Sequence, residues 1–84
     1  MTYTVVWRPR QKQRLAELWM AAPDRPAITA AADEIDRRLR IAPLDEGESR
    51  EGAFRVIFID PLAVKYRVFE DDFVVAIVRV WRIR

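Results

Sequence analysis

FRVIFIDPLAVKYRVFEDDFVVAIVRVWRI, residues 54–83, decides the fold. It contains three strand-like runs, Phe54 to Ile59, Leu62 to Phe69 and Phe73 to Ile83. β-Branched and aromatic residues dominate each run, which suits a pleated, half-buried surface. Asp60-Pro61 separates the first run from the second, and Glu70-Asp71-Asp72 reads as a hairpin turn before the third. Successive strand side chains point to opposite sides, so alternation assigns faces. Leu62, Val64, Tyr66 and Val68 share one face, and Ala63, Lys65, Arg67 and Phe69 the other. Phe54, Val56 and Phe58 oppose Arg55, Ile57 and Ile59. In the last run a strict period of two places Arg79 with Phe73, Val75, Ile77 and Trp81, and sends Arg82 and Arg84 to the opposite face.

Upstream of this block the periodicity changes. Tyr3 to Trp7 is a further strand-like run that stops before Pro9. Proline is tolerated in the first turn of a helix, where its missing N–H costs least. Leu15, Leu18, Trp19 and Ala22 then recur at helical spacing, which predicts a helix over about residues 9–22. Pro23-Asp24-Arg25-Pro26 is a break, with Asp24 suited to cap the next helix. Ile28, Ala31, Ala32, Ile35 and Leu39 form the second apolar stripe, which ends near Ile41, before Pro43. Asp45 to Gly52 holds both glycines and four acids and reads as an exposed loop. The order is β-α-α-β-β-β. It predicts one α+β domain over residues 1–84, with a helical hairpin packed on one face of an antiparallel sheet.

Composition narrows the chemistry. The chain has 84 residues, 51% of them hydrophobic, with no cysteine and no histidine. Disulfides, Cys/His zinc sites and histidine-based catalysis are excluded. No glycine-rich phosphate loop is present, and the acids of the second helix and the loop show no metal-ligand spacing. Net charge is +2, yet the isoelectric point is about 9.5. The positive charge is almost all arginine, since Lys12 and Lys65 are the only lysines. Arginine presents a planar, permanently charged fork that fits phosphate or carboxylate. No apolar run reaches the roughly 20 residues of a membrane span, and the N-terminus does not read as a signal peptide. The expectation is a soluble cytoplasmic protein.

Two readings compete for Arg55, Lys65, Arg67, Arg79, Arg82 and Arg84. They form a cationic surface that holds RNA phosphates or an acidic partner, or they are solvated strand residues that protect sheet edges. Phe69, Ile77 and Trp81, interleaved among the cations, favour a binding face. Trp19, on the apolar helix stripe, is expected in the core.

The run Tyr66-Arg67-Val68-Phe69 through Asp71-Asp72 to Val74-Val75-Ala76-Ile77-Val78-Arg79-Val80-Trp81-Arg82, with Tyr3-Thr4-Val5-Val6-Trp7 and Gln13-Arg14-Leu15, resembles the RelE/ParE toxin superfamily, of the toxin-antitoxin, plasmid stabilisation type. The resemblance spans almost the whole chain. It implies the toxin of a type II toxin-antitoxin system, neutralised by a cognate antitoxin protein. The implied target is the ribosome and its mRNA, which RelE-like members cut, or DNA gyrase. No cofactor, small-molecule ligand, metal or membrane is implied. The carried-over site is Arg55, Lys65, Arg67 and Arg82, acting by charge stabilisation in an endoribonuclease. The chain departs from the nuclease pattern in three places. Ala63 stands where an arginine is frequent, Arg82 where a histidine or lysine often follows the last strand, and no tyrosine follows Arg84. The alternative is a catalytically degenerate member that only binds an antitoxin-like protein or RNA.

Overall fold

The computed structural model describes residues 1–84. Strand β1 (Thr4–Trp7) leads into helices α1 (Pro9–Ala21) and α2 (Arg25–Ile41), followed by β2 (Glu48–Ser49), β3 (Phe54–Ile59), β4 (Leu62–Phe69) and β5 (Val74–Arg82). The sheet order is β1-β5-β4-β3-β2. β3, β4 and β5 form the antiparallel meander that the C-terminal block predicts. β1 joins outside β5 in parallel, which makes the sheet mixed. The bonds from Thr4 N–H to the Phe73 carbonyl and from Tyr3 N–H to the Arg40 carbonyl, each 2.8 Å, hold it there.

One face of the sheet is covered by the helical hairpin. Ile28, Ile35 and Leu39 of α2 pack against Leu62, Val64, Tyr66, Val75, Ile77 and Val80. Leu15 and Leu18 of α1 close the side of this core. The second face carries no covering layer.

Two local features depart from the sequence expectation. The segment read as a loop contains the short edge strand β2, whose two exposed residues pair with Val56 and Arg55. Two residues are too few to show a period of two, so only the pairing reveals the strand. Gly47 precedes it at φ +66°, and a Cβ there would lie 2.5 Å from the Val56 carbonyl oxygen. Phe73 is not the first residue of the last strand. It sits in the turn at φ 52°, and its ring packs against Tyr3 with centroids 5.4 Å apart.

The decisive departure is inside β5. Lys65 pairs with Arg79 but Tyr66 pairs with Ile77, so Val78 is an extra, unpaired residue. A β-bulge of this kind shifts the facing of every residue beyond it. Val75 and Ile77 face the helices before the bulge, and Val80 and Arg82 face that side after it. Strict alternation had joined Arg79 and Trp81 to Ile77; they lie on the open face instead. A charged Arg79 beside Val75 and Ile77 would be buried without a partner, at a prohibitive desolvation cost. That conflict was the legible sign of a bulge.

The bulge lies where β5 outruns its neighbour. β1 pairs only with residues 74–77. Beyond Trp7 the chain turns into α1, and the Gln11 side-chain carbonyl accepts the Val80 N–H at 2.9 Å. A helix side chain thus replaces the missing strand at that edge.

Candidate functional site

The uncovered face is a lattice of cations and aromatic rings. Directly opposed residues in an antiparallel pair share a face. One row therefore runs Arg79, Lys65, Val56; the next runs Ala76, Arg67, Phe54; a third runs Trp81, Ala63, Phe58. Each cation lies over a ring. Lys65 Nζ is 4.7 Å from the Phe54 centroid, the Arg67 guanidinium carbon 4.7 Å from Phe69, and the Arg79 one 5.0 Å from Trp81. None of the three pairs with a carboxylate. The rings hold the cationic heads without neutralising them. Phe58 is 49% exposed, whereas Ala63 between it and Trp81 is fully covered. The acids at the border are Glu48 on β2, paired with Arg50 at 3.0 Å, and the Glu70–Asp72 turn.

The structure divides the four residues carried over from the resemblance. Lys65 and Arg67 are adjacent on the open face. Arg55 turns toward the loop after α2, where its Nε donates to the Glu46 carbonyl at 3.0 Å and its Nη2 to that of Gly47 at 3.4 Å. The Tyr66 hydroxyl, buried beside it, donates its one proton to a site shared by the Pro43 and Glu46 carbonyls, each 2.8 Å away. Burial raises the Tyr66 pKa above the ordinary phenol value, with neighbouring Arg55 acting the other way. Arg55 and Tyr66 together tie down residues 43–47.

Arg82 lies on the helix side, beyond the bulge. Its Nη2 donates to Asp24 Oδ2 at 2.9 Å, and its Nε donates to the Arg84 carbonyl. The sequence predicts a side-chain cap from Asp24 to α2, but Asp24 makes none; its carboxylate is held by Arg82 instead. That guanidinium keeps Asp24 below the usual carboxylate range. Arg84 reaches Asp60 at 2.8 Å. Arg82 and Arg84 thus fasten the end of β5, Arg82 to the turn between the helices.

The aromatic expectations also divide. Ile77, read as part of the binding face, is 0% exposed in the core, while Phe69 and Trp81 are on the open face. Trp19 is not in the core. It is 39% exposed at the mouth of an apolar groove of about 620 Å³ between α1 and α2. Its indole N–H donates to Thr29 Oγ1 at 3.2 Å and Arg25 stacks on its ring at 4.6 Å. Arg79 is the open-face cation that the sequence reading omitted from the site.

Chemically, the open face offers fixed positive charge and ring surface. Arg67 and Arg79 stay protonated and act as fixed charge. The arrangement is suited to holding phosphates and stacking bases or rings.

These strands and helices together form the same α+β fold as a chain of a solved toxin–antitoxin complex. The solved structure that carries this comparison is the RelBE2 toxin–antitoxin complex of Mycobacterium tuberculosis, with a TM-score of 0.76 and 24% sequence identity over 98% of this chain and 99% of that chain. No protein-family model matches the sequence, and no curated protein matches it. No helix is long and apolar enough to cross a membrane.

Proposed function

We propose that this chain is the toxin of a type II toxin–antitoxin pair, acting in the cytoplasm and neutralised by a cognate antitoxin. The reading rests on the end-to-end superposition with a chain of a toxin–antitoxin complex. For the target, the open face favours RNA of the translation machinery over DNA gyrase. Cations without carboxylate partners, interleaved with the exposed Phe58 and the half-buried Phe54, Phe69 and Trp81, fit single-stranded RNA, whose unstacked bases seek aromatic partners. Inhibition proceeds mainly by occupancy. Strand-transfer chemistry at the 2′-hydroxyl needs a proton acceptor and a proton donor for the leaving oxygen, and general acid–base help contributes about 10²–10⁴-fold in rate. Arg67 and Arg79 can supply neither.

Induction of the chain alone in a bacterial host is expected to arrest growth, with relief by the product of an adjacent gene. The K65A/R67A/R79A variant, folded by circular dichroism, is expected to be harmless. Normal growth at confirmed soluble expression of the parent overturns the toxin reading. Arrest with undiminished protein synthesis and damaged DNA points to gyrase. Primer extension on mRNA from a translating extract is expected to show no strong stops in the ribosomal A site.

A further inference from the structure

Helix α1 begins against its own dipole. Arg8 stands at its cap, Arg10, Lys12 and Arg14 crowd its first two turns, and its first turn contains no acid. The amino end of a helix carries partial positive charge, so cations there are unfavourable and acids are the ordinary choice. Nothing in the fold compensates for this. Arg14 has a loose contact to Glu17 at 3.6 Å, both side chains more than half exposed, and Arg8, Arg10 and Lys12 have no carboxylate partner. A local rule broken without a structural return points to a functional surface.

The position of these cations is set by contacts already described. Gln11, Leu15 and Leu18 face β5 and the core. Lys12, Ala16, Trp19 and Met20 line the groove toward α2. At 3.6 residues per turn, Arg10 and Arg14 therefore occupy the flank turned away from α2. The Gln11 bond to Val80 N–H places the start of α1 against the unpaired edge of β5, one residue along the strand from Arg79. The sheet cations Lys65, Arg67 and Arg79 and the helix cations Arg10 and Arg14 belong to the two elements that meet at the β5 edge, with Glu17 the one acid on that flank of α1.

We infer that Arg10 and Arg14 of α1 are a second phosphate-binding segment, which extends the open sheet face into one continuous track for single-stranded RNA. The inference rests on the RNA reading of the sheet face and adds to it the path of the strand. Bases stack on the exposed Phe58 and along the half-buried rings of the sheet, and the backbone leaves across the β5–α1 edge. An acidic polypeptide would match the charges but would leave Phe58 and Trp81 without flat partners, so the surface favours RNA.

The test uses a short fluorescent oligouridine and the full chain, with affinity measured by anisotropy from about 50 to about 200 mM salt. For single strands the slope of log K against log salt is about 0.7 per phosphate contact. The R10A/R14A variant should bind more weakly, with a slope shallower by about 1.4. Its thermal midpoint should hold or rise, because charges opposing the dipole are gone. The charge-matched R37A/R40A variant on α2 should keep the parent slope. An unchanged slope in R10A/R14A, with binding still lost in K65A/R67A/R79A, overturns this inference and leaves the sheet reading intact. No binding of oligouridine by the parent overturns both. Tight binding of polyglutamate with weak binding of oligouridine, sensitive to the same arginines, replaces RNA by an acidic protein and overturns the RNA track.

Discussion

The open sheet face and the helix-covered side use the same residue type for opposite ends. Lys65, Arg67 and Arg79 lie over aromatic rings and have no carboxylate. Arg55 and Arg82, in the same three strands, spend their donors on backbone carbonyls and on Asp24. The first group keeps its charge available to a ligand. The second has its charge or its donors committed inside the protein, where it joins loops and helix turns to the sheet. An arginine on a strand is therefore not by itself a binding residue; what it faces decides its role.

The sharpest test of this contrast is the pair Ile77 and Arg79, two residues apart on one strand. Ile77→Ala is expected to cost about 2–5 kcal/mol in urea denaturation, as for a large core side chain. Arg79→Ala is expected to stay within about 0.5 kcal/mol. Similar costs for both would mean that the strand is not bulged at Val78.

Tyr66→Phe should have the next largest effect, about 1–3 kcal/mol, because removing the hydroxyl leaves the buried Pro43 carbonyl without its donor, while the Glu46 carbonyl keeps only Arg55. The raised Tyr66 pKa adds a sign. The folded state keeps the phenol neutral, so its contribution is full below the ordinary phenol value and is lost as pH rises above about 10. The parent should weaken there, and the phenylalanine variant should lack that step.

Arg82→Ala and Asp24→Ala should each lower the urea midpoint, and the double variant should lose less than the sum, since both remove one ion pair. Growth arrest should survive Arg82→Ala at a temperature where the variant is folded. Loss of arrest in the folded protein would return Arg82 to the target-binding surface.

The smallest effect is the acid limb. Asp24 is depressed by Arg82, and Glu34 is lowered to about 2, chiefly by the Arg37 hydrogen bond and further by Arg38. Depressed carboxylates stabilise the fold above their unfolded values, near 4, and that contribution is lost as pH falls through the folded ones. The thermal midpoint should decline from about pH 4.5 toward about pH 2, less steeply in Glu34→Gln. A flat profile would show that these exposed pairs contribute nothing measurable, the usual outcome for surface pairs.

By itself the sequence determined whatever depends on neighbours along the chain. The stripe of Ile28, Ile35 and Leu39 defines α2, the alternation from Leu62 to Val68 defines the buried face of β4, and Pro9, Pro23 and Asp60-Pro61 mark the breaks between elements. Lys65 and Arg67 fall on the face opposite Tyr66 for the same reason. Tertiary structure decided the rest. β2 exists only because β3 has an edge to pair with, and Asp24 turns from its expected cap because Arg82 reaches it across the fold. Which residue of β5 goes unpaired depends on where β1 ends and where Gln11 of α1 meets the Val80 N–H, 69 residues apart in sequence. A one-residue bulge leaves local composition unchanged yet reverses the facing of every side chain beyond it. The placement of Arg79, Trp81 and Arg82 was therefore settled by long-range pairing, and it could be anticipated only from the cost of burying Arg79 beside Ile77.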